Sequence, residues 1–357
     1  MYVKIFVLTS LFLQGCLFFD GSSVSDLDVQ RTNNQTLQTN NGQGSNKGSE
    51  SNIGVTNSNN IEPEPNCDGK IVDFDIVALD GEFRTVESCP GFVILKSAGN
   101  QTPRIIDVLK FGSQKVSIAN SNRGILIGTE DKVFVCTNGK CEKDASYMGA
   151  EEVKVASWPT LEGEEGYLVK FPNKINLYNK TKNFVKPQTE PRMGDFSNLQ
   201  INAFPFANNT AYIATAQSDG NLHWFLRGGE QQICPIPSAL ARGVSINDGE
   251  LSVVYPQNGL FSLLKITSKN CGSPTVGEGD PVETFDVYNL SGLDYVAARQ
   301  YGNKIHLMLV DANLTLGDPE DVEILVGEHY EVAGTYQSYA LGVLHEGNLN
   351  LHFGTFK

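Results

Sequence analysis

The chain has 357 residues, of which 27 are Lys or Arg and 41 are Asp or Glu, so its formal net charge at pH 7 is −14. Phosphate groups attract clustered basic side chains, so this balance argues against a nucleic-acid-binding protein and against attachment to anionic lipid through basic patches. Gly (35 residues), Phe (19) and Tyr (12) are abundant. They favour short strands joined by frequent turns, and no long amphipathic helix is evident.

The first fifteen residues have the pattern of an export signal. A short basic start ends at Lys4, and a mostly apolar run follows over residues 5–13. This run is too short to span a bilayer, so it indicates a cleaved signal peptide over residues 1–15.

The end of that signal, Leu13-Gln14-Gly15-Cys16, resembles the bacterial lipobox. In that motif, a Leu three places before the Cys and a small residue directly before it mark the cleavage site. The resemblance implies that Cys16 becomes the first residue of the mature protein and carries diacylglycerol and further acyl chains such as palmitate. Two or three acyl chains hold a protein stably on a membrane. Leu17 follows where enteric bacteria use Asp for retention in the inner membrane, which favours the outer membrane.

Residues 16–66 contain the lipidated Cys and a stretch rich in Asn, Ser, Gly, Gln and Thr. So few apolar residues cannot bury enough surface to offset the entropy of ordering, which predicts a disordered tether. The segment Glu62-Pro63-Glu64-Pro65 stiffens the entry to a folded domain predicted over residues 67–357.

Six cysteines follow the tether, and an even number in an exported chain favours disulfide bonds. Two of them flank an Asn-Gly turn and can approach each other across one hairpin. Six cysteines allow 15 pairings, and neighbours in sequence are the simplest choice. A zinc site is the alternative, but the spacing is a weak ligand pattern. The expected pairs are Cys136 with Cys141, Cys67 with Cys89 and Cys234 with Cys271.

Hairpin patterns recur along the folded region, each with two apolar runs around a turn rich in Gly, Asn or Asp. Their mean spacing of about 41 residues lies in the range of one four-stranded propeller blade. The sequence therefore predicts an all-β fold, a β-propeller of seven blades, although no WD-repeat or kelch signature is present. The turn centres lie near residues 99, 131, 172, 219, 257, 303 and 347.

The last hairpin ends close to Lys357, which leaves no chain for an outermost strand of the last blade. Residues 71–78, IVDFDIVA, are expected to supply that strand and so to fasten the first blade to the last. The alternative fold is a pair of β-sandwich domains divided in the polar, Pro-containing segment 186–195.

One hairpin resembles the mannose-binding box of bulb-type lectins, in which Gln, Asp and Asn at alternate positions hydrogen-bond sugar hydroxyls. Gln217, Asp219 and Asn221 match those positions, whereas His223 and Phe225 stand where the box has Val and Tyr. The box also occurs once here, whereas the lectin fold repeats it. The alternative is a hairpin turn that uses Asp-Gly-Asn for its geometry alone.

The remaining motifs are candidate metal sites with weaker sequence patterns. Three acidic clusters, 162–166, 277–280 and 318–321, are candidate Ca²⁺ loops or solvated loops. Residues 311–315 begin like an EF-hand loop, but Leu316 stands where Gly is needed. The five His residues show no zinc-binding spacing. We therefore expect no metal and no cofactor.

The sequence contains no GxSxG elbow, no P-loop and no GxGxxG motif, so a binding or scaffold module is favoured over an enzyme. Such a module would sit in the bacterial cell envelope, held on the membrane by its lipid, with a protein or glycan as partner. Aromatic side chains near turns, Trp158, Tyr178 and Trp224, are candidate contacts if exposed, and core residues otherwise. The alternatives are a sugar-binding lectin and a glycan hydrolase or lyase, and the latter predicts facing carboxyl groups in the central channel.

Overall fold

The protein is described by a computed structural model, and the described residues belong to one compact unit, Glu62–Lys357. The signal, lipobox and tether predicted over residues 1–66 lie outside them. Among the described residues, no helix is long and apolar enough to cross a membrane. The described ranges are 67–79, 81–99, 103–158, 164–172, 174–179, 184–186, 197–206, 209–218, 221–226, 232–236, 242–247, 250–257, 260–267, 271–273, 275–276, 284–290, 294–310, 320–323 and 329–356.

The regular structure of these residues consists of β-strands, which confirms the predicted all-β class. The strands are β1 (Asp73–Leu79), β2 (Glu82–Cys89), β3 (Phe92–Ala98), β4 (Arg104–Leu109), β5 (Ser117–Ser121), β6 (Gly124–Gly128), β7 (Lys132–Thr137), β8 (Lys140–Ser146), β9 (Glu152–Trp158), β10 (Glu164–Phe171), β11 (Lys174–Asn179), β12 (Phe184–Lys186), β13 (Ser197–Phe206), β14 (Asn209–Ser218), β15 (Asn221–Leu226), β16 (Gln232–Pro235), β17 (Arg242–Asn247), β18 (Glu250–Gln257), β19 (Leu260–Thr267), β20 (Thr275–Val276), β21 (Thr284–Asn289), β22 (Tyr295–Tyr301), β23 (Lys304–Val310), β24 (Glu320–Glu323), β25 (His329–Gly334), β26 (Ser338–His345) and β27 (Asn348–Thr355).

Consecutive strands pair in antiparallel fashion and form separate small sheets, which we number in chain order. Within the described ranges, sheets 1 to 6 each contain four strands, from β1–β4 to β21–β24, and sheet 7 contains β25–β27. Every strand pairs with its neighbour in sequence. Each sheet is therefore a local meander that the chain completes before it starts the next one.

The predicted turns fall at hairpins, with one shift of phase. Six of the seven centres lie between the second and third strands of a sheet, but the centre near Gly99 lies between the third and fourth strands of sheet 1. In that sheet the second and third strands turn at Pro90-Gly91, where Gly91 has a φ of 88°. A Pro-Gly pair is itself a strong turn signal, so both turns of sheet 1 are visible in the sequence. The prediction placed the centre of the first repeat at the later turn, near Gly99, and not at Pro90-Gly91.

The first strands of the seven sheets lie next to one another. Each contacts the first strand of the following sheet, from β1 to β5 and onward to β25, and β25 contacts β1. Between neighbouring sheets lie apolar clusters. One, containing Val86 and Ile127, joins sheets 1 and 2, and another, containing Ile76 and Ala340, joins sheets 1 and 7. Burial of these side chains is the main force that holds sheet to sheet.

The expectation that residues 71–78 complete the last sheet is wrong. These residues contribute β1, which pairs with β2 in sheet 1, with Asp73 opposite Ser88. The segment contacts sheet 7 just before β1 begins, where the Ile71 N–H donates to the Gly347 carbonyl at 2.9 Å. The Asp73 and Asp75 carboxylates accept the backbone N–H groups of Val116 and Ile118, which holds β1 beside the first strand of sheet 2.

The division into two β-sandwich domains is also wrong. Such a division requires the chain to separate between residues 186 and 195, but β9 and β13, from the two sides of that segment, contact each other. The same pattern of first-strand contact therefore continues across the polar segment.

All three expected disulfides form. Cys136–Cys141 spans the β7–β8 hairpin, and Cys67–Cys89 ties the segment before β1 to the end of β2. Cys234–Cys271 joins β16 of sheet 4 to the connection after β19 in sheet 5. Two of the bridges are therefore local to sheet 1 or sheet 2, and one links neighbouring sheets.

The two bridges of different span should differ in their contribution to stability. A disulfide stabilises mainly by restricting the unfolded chain, and the effect grows with the length of the closed loop. The sequence separation is 37 for Cys234–Cys271 and 5 for Cys136–Cys141. We expect the double substitution of Cys234 and Cys271 by Ala to lower the free energy of unfolding by about 4 kcal/mol, and that of Cys136 and Cys141 by about 2 kcal/mol. Denaturant unfolding measures both, and equal losses would contradict the ranking.

Candidate functional site

A set of charged side chains on the first strands forms the candidate site. Residues two apart on a strand face the same side, so each contributing pair points the same way. Electrostatic interactions connect Lys154 of β9 with carboxylates of β1 and β25, which shows that these side chains face one another across the first strands. We call this set the axial cluster. Its members are Asp73, Asp75, Glu152, Lys154, Asp286, His329 and Glu331.

Three carboxylates of the axial cluster accept hydrogen bonds from the backbone of the next sheet. A first strand has a ladder partner on one side only, so N–H groups on its other side need different acceptors. A carboxylate from the preceding first strand supplies them, and hydrogen bonds to an ionised acceptor are stronger than neutral ones. The three donor–acceptor pairs are Val116 N to Asp73 Oδ2 at 2.9 Å, Ile118 N to Asp75 Oδ2 at 2.8 Å, and Val332 N to Asp286 Oδ2 at 2.8 Å.

Between sheets 2 and 3 a hydroxyl has the same role. Ser117 donates through Oγ to the Val153 carbonyl at 2.9 Å and accepts from the Val155 N–H at 3.2 Å. Both partners lie on β9, one first strand further along. We call a bond from a side chain of one first strand to the backbone of the next a clamp. Clamps recur between sheets, and carboxylates are not the only side chains that form them.

The remaining charges pair among themselves. Lys154 Nζ lies 3.7 Å from Glu152 Oε1. His329 Nε2 lies 3.1 Å from Glu331 Oε1 and 3.9 Å from Asp73 Oδ1. The His329 side chain is 40% exposed, against 21% for Glu331. His329 therefore marks the part of the axial cluster that solvent reaches most easily.

Two carboxyl groups of the axial cluster have pKa values displaced in opposite directions. Burial raises the pKa of Asp75, the charge of Glu331 adds to this, and together they outweigh Lys154 and two backbone amides, so the value is about 7. Burial also raises the pKa of Glu331, but the hydrogen bond and charge of His329, together with Lys154, lower it to about 2. Of the two carboxyl groups, Asp75 thus takes up a proton far more readily than Glu331.

The two bases of the cluster stay protonated more readily than usual. Burial lowers the pKa of Lys154, but the charges of Glu152 and Asp75 outweigh burial and raise it overall. For His329, burial lowers the pKa, while the hydrogen bond to Glu331 and the charges of Glu331 and Asp73 raise it overall. Both cations therefore offset part of the negative charge that the five carboxyl groups bring together.

Sequence reasoning did not identify this cluster, although a local signal exists. Three first strands carry charged residues two positions apart within otherwise apolar strands: Asp73 with Asp75, Glu152 with Lys154, and His329 with Glu331. On a strand this spacing places both charges on one face. Since the charged faces of these three first strands point away from the apolar clusters between sheets, the pattern indicates a shared polar centre.

Two of the three sugar-box residues, Gln217 and Asn221, lie on paired strands of one hairpin. Gln217 is on β14 opposite Leu222 of β15, and Asn221 is opposite Ser218. The side chains of Gln217 and Asn221, and all of Asp219, lie outside the described parts of the chain, so sugar binding by these three residues stays a prediction.

Of the three aromatic residues predicted as possible partner contacts, the structure describes the side chain of one. Tyr178 is half-buried on β11, and its ring lies 4.7 Å from that of Tyr147 beside the apolar cluster of sheets 2 and 3. It is a core residue and not an exposed contact. Trp158 and Trp224 lie on β9 and β15, but their side chains are outside the described atoms.

The first acidic cluster is not a solvated loop at its described end. Glu165 lies on β10 with a fully buried side chain. Arg123 donates to Glu165 from Nε, at 2.9 Å to Oε1, and from its terminal nitrogen to Oε2, while the Tyr167 hydroxyl donates to Oε2 at 2.7 Å. The same guanidinium donates two hydrogen bonds of 3.1 Å to Asp144. This network, in which Glu165 is buried and Arg123 is exposed, joins sheets 2 and 3.

The other candidate ion sites gain no support. Asp321, at the end of the third acidic cluster, lies 2.7 Å from Nδ1 of His306 across the β23–β24 pair. The cluster at 277–280 and the EF-hand-like residues 311–315 lie outside the described residues. In the ranges that the structure covers, no group of three His, Cys, Asp or Glu side chains is arranged to hold a metal ion.

Comparison with known proteins identifies the fold and no family. No protein-family model matches the chain, and no curated protein matches it either. Among solved structures it is similar to hydrazine synthase of Kuenenia stuttgartiensis, with a TM-score of 0.54, 11% identity, and coverage of 81% of this chain and 97% of that one. An inactive virginiamycin B lyase from Staphylococcus aureus matches with a TM-score of 0.51, 15% identity, and coverage of 80% and 94%.

TolB from Acinetobacter baumannii is also similar, with a TM-score of 0.42 and 12% identity over 66% of this chain and 60% of that chain. Virginiamycin B lyase is a β-propeller protein. At identities of this size, the likeness to the lyase shows the fold alone. The described domain is therefore propeller-like, and the activities of these proteins are not carried over to it.

The raised pKa of Asp75 has a consequence for stability. A carboxyl group whose pKa rises from 3.8 unfolded to about 7 folded binds a proton more tightly in the folded state, so its contribution is present below pH 4 and is lost as the pH rises to 7. We expect Asp75→Asn to remove this decline between pH 4 and pH 7. The variant should also lose about 1–3 kcal/mol at low pH, because an amide has one acceptor oxygen for two backbone N–H groups.

Chemical unfolding at a series of pH values measures this effect. Asp107→Asn is the matched control, because Asp107 also accepts bonds from the next amide, Val108, and from the more distant Cys141, and it lies outside the axial cluster. The control should keep the slope that Asp75 causes. An unchanged slope in the Asp75 variant would contradict this account.

Proposed function

We propose that the protein is a lipid-anchored, seven-bladed β-propeller that acts as a binding or scaffold module in the bacterial cell envelope. The observation that carries this proposal is the use of the axial carboxylates: Asp73, Asp75 and Asp286 each accept a backbone N–H of the next sheet. Groups engaged in this way serve to hold a rigid ring, and a rigid ring with loops on two faces is suited to presenting binding surfaces.

Each of the seven sheets would be one blade, with its first strand at the axis. The contact of β25 with β1 supports closure, since it brings the last sheet beside the first. Ile76 and Phe83 of sheet 1 pack there against Ala333 and Ala340 of sheet 7. A ring closed in this way has no exposed inner edge, which is the advantage of the architecture.

The proposed cellular location follows from the lipobox-like motif that ends at Cys16, and the disulfides support it. Cys16 would carry the lipid, and residues 17–66 would act as a tether between membrane and propeller. Three disulfides suit an oxidising compartment outside the cytoplasm. Leu17 after the lipidated Cys favours the outer membrane. The membrane would thus be one partner, and an envelope protein or glycan the other, while the charge of −14 disfavours nucleic acid.

A glycan hydrolase or lyase is the second candidate, and one observation favours it. Asp75 and Glu331 lie close enough to interact, and their pKa values of about 7 and about 2 differ as those of a general acid and its partner carboxylate do. Against it, both Asp75 oxygens accept backbone amides, from Ile76 and Ile118, each at 2.8 Å. A catalytic acid must instead reach the substrate. Sugar binding through Gln217, Asp219 and Asn221 would be a special case of the binding module.

The experiment uses the full chain with a C-terminal tag, expressed in a bacterium fed an alkyne-labelled palmitate. We expect the wild-type protein to carry the label and to sediment with the outer membrane, whereas Cys16→Ser should lose the label and leave the membrane fraction. Cross-linking in intact cells should then capture one envelope component with the wild type and much less of it with Cys16→Ser, because the anchor raises the local concentration.

The same purified protein distinguishes the two candidates. Incubation with a glycan array and with peptidoglycan fragments should give binding or no signal, but no cleavage. If the wild type cleaves a glycan and Glu331→Gln does not, the hydrolase proposal is correct and the scaffold proposal is wrong. A wild-type protein without palmitate, found outside the membrane fraction, would contradict the anchor.

A further inference from the structure

The outermost strands of the first six described sheets carry features that oppose pairing with another chain. β8 carries four charged residues, three of the four residues of β24 are acidic, and β4 contains Arg104 and Asp107. β16 ends in Pro235, and β12 and β20 are only three and two residues long. Charge, proline and short length are means by which proteins keep sheet edges from pairing with one another.

β27 is the exception among these outermost strands. Its eight residues, NLNLHFGT, include no proline and no Asp, Glu, Lys or Arg. Its one ionisable side chain is that of His352, and burial lowers the pKa of this imidazole, so the ring is neutral at pH 7. No described strand pairs with the far side of β27. Sheet 7 therefore has an open, uncharged edge.

The β26–β27 hairpin determines which residues of β27 face this edge. It turns through Glu346 and Gly347, both with positive φ (49° and 80°), so the flanking pair His345 and Asn348 is hydrogen-bonded. In an antiparallel ladder every second residue then turns its N–H and C=O outward. For β27 these residues are Leu349, Leu351 and Phe353.

A groove of about 590 Å³ runs beside this edge. Leu349, Leu351 and Phe353 form part of one wall, and Gly99 and Pro103, from the β3–β4 connection of sheet 1, form part of the other. The three apolar side chains of β27 are only half-buried by the described residues. The edge therefore offers backbone hydrogen-bonding groups and apolar surface together, which is what strand addition requires.

We propose that β27 pairs with β27 of a second copy of this chain, antiparallel and about a two-fold axis at Leu351. A two-fold contact of this kind closes as a dimer and does not grow into a fibre. Leu351 would exchange two N–H···O bonds with the partner's Leu351, and Leu349 would exchange two with the partner's Phe353. The partner's β27 would then be the fourth strand of sheet 7, which gives this sheet as many strands as sheets 1 to 6 have in the described residues.

The side chains on both faces of β27 suit a second copy. On one face, Leu351 would meet the partner's Leu351 and Leu349 would meet the partner's Phe353, which buries apolar groups that are otherwise half-exposed. On the other face, Asn350 would lie opposite the partner's His352, and an amide can hydrogen-bond a neutral imidazole. The net charge of −14 makes two copies repel each other in general. Pairing through β27 avoids close contact between like charges, because neither strand carries one.

Sedimentation velocity of the full chain tests the proposal, with Cys16→Ser so that no lipid contributes to association. The dimer depends neither on the lipid anchor nor on the proposed binding function, so its failure would leave both intact. We expect a monomer–dimer equilibrium between about 1 and 100 µM protein, because a contact through one pair of strands is small and small interfaces are usually weak. Protection from amide exchange at Leu349, Leu351 and Phe353 should rise with protein concentration. A monomer at every concentration, or exchange that does not depend on concentration, would overturn the proposal.

Charge at position 351 tests the register. Leu351→Lys and Leu351→Glu each place like charges directly opposite one another across the two-fold axis. We expect each variant alone to raise the dissociation constant of the dimer about fivefold or more. An equal mixture of the two variants should recover the dimer, since opposite charges then face each other. Val108→Lys is the matched control, because Val108 is also a half-buried apolar residue on an outermost strand, β4, and it should leave the dimer unchanged.

Amide exchange at Leu307, which is fully buried in sheet 6, should stay slow in every variant and would show that the fold is intact. Dimerisation that neither charge weakens, or that the mixture does not recover, would overturn the proposal. Loss of the dimer in the Val108 control would also overturn it, since the contact would then lie at another edge. The wild-type measurements stay decisive if a variant fails to fold.

Discussion

The backbone of each first strand poses the constraint on which the structure depends. Such a strand has a ladder partner on one side, and its N–H groups on the other side must find acceptors or lose several kilocalories to desolvation. Side chains of the preceding first strand meet this need: Asp73 and Asp75 for sheet 2, and Asp286 for sheet 7. The clamps span 43 to 46 residues, about one sheet. They tie sheet 1 to sheet 2 and sheet 6 to sheet 7 at the level of the backbone.

The electrostatics of the axial cluster follow from that solution. Carboxylates placed to accept backbone amides from several sheets must also face one another, and like charges in a confined space disfavour ionisation. Lys154 and His329 reduce the repulsion, whereas burial, with the charge of Glu331 added to it, raises the pKa of Asp75 to about 7. A perturbed carboxyl group in a channel often marks a catalytic centre. Here the same perturbation arises from groups that hold the ring, so it does not by itself indicate catalysis.

What the sequence predicted well was encoded locally. Turn chemistry lies in adjacent residues, so the hairpins and their period were evident, and the disulfide across Asn138-Gly139 followed from one such turn. The role of β1 as a first strand was missed because the amides that bind its side chains Asp73 and Asp75, those of Val116 and Ile118, are 43 residues away. Glu165 appeared to belong to an acidic loop because its cation, Arg123, is 42 residues distant. The axial cluster joins β1 to β25 over more than two hundred and fifty residues, a distance at which residue patterns carry little information about contact.

The most direct measurement of the central claim is the exchange rate of the three clamped amides, Val116, Ile118 and Val332, by NMR of the full chain. If side chains of the preceding first strand hold these N–H groups, they should exchange as slowly as ladder amides of β5 and β25, and Asp286→Ala should speed exchange at Val332 but not at Val116 or Ile118. Rates typical of exposed amides at all three positions, or no response of Val332 to the substitution, would contradict the account.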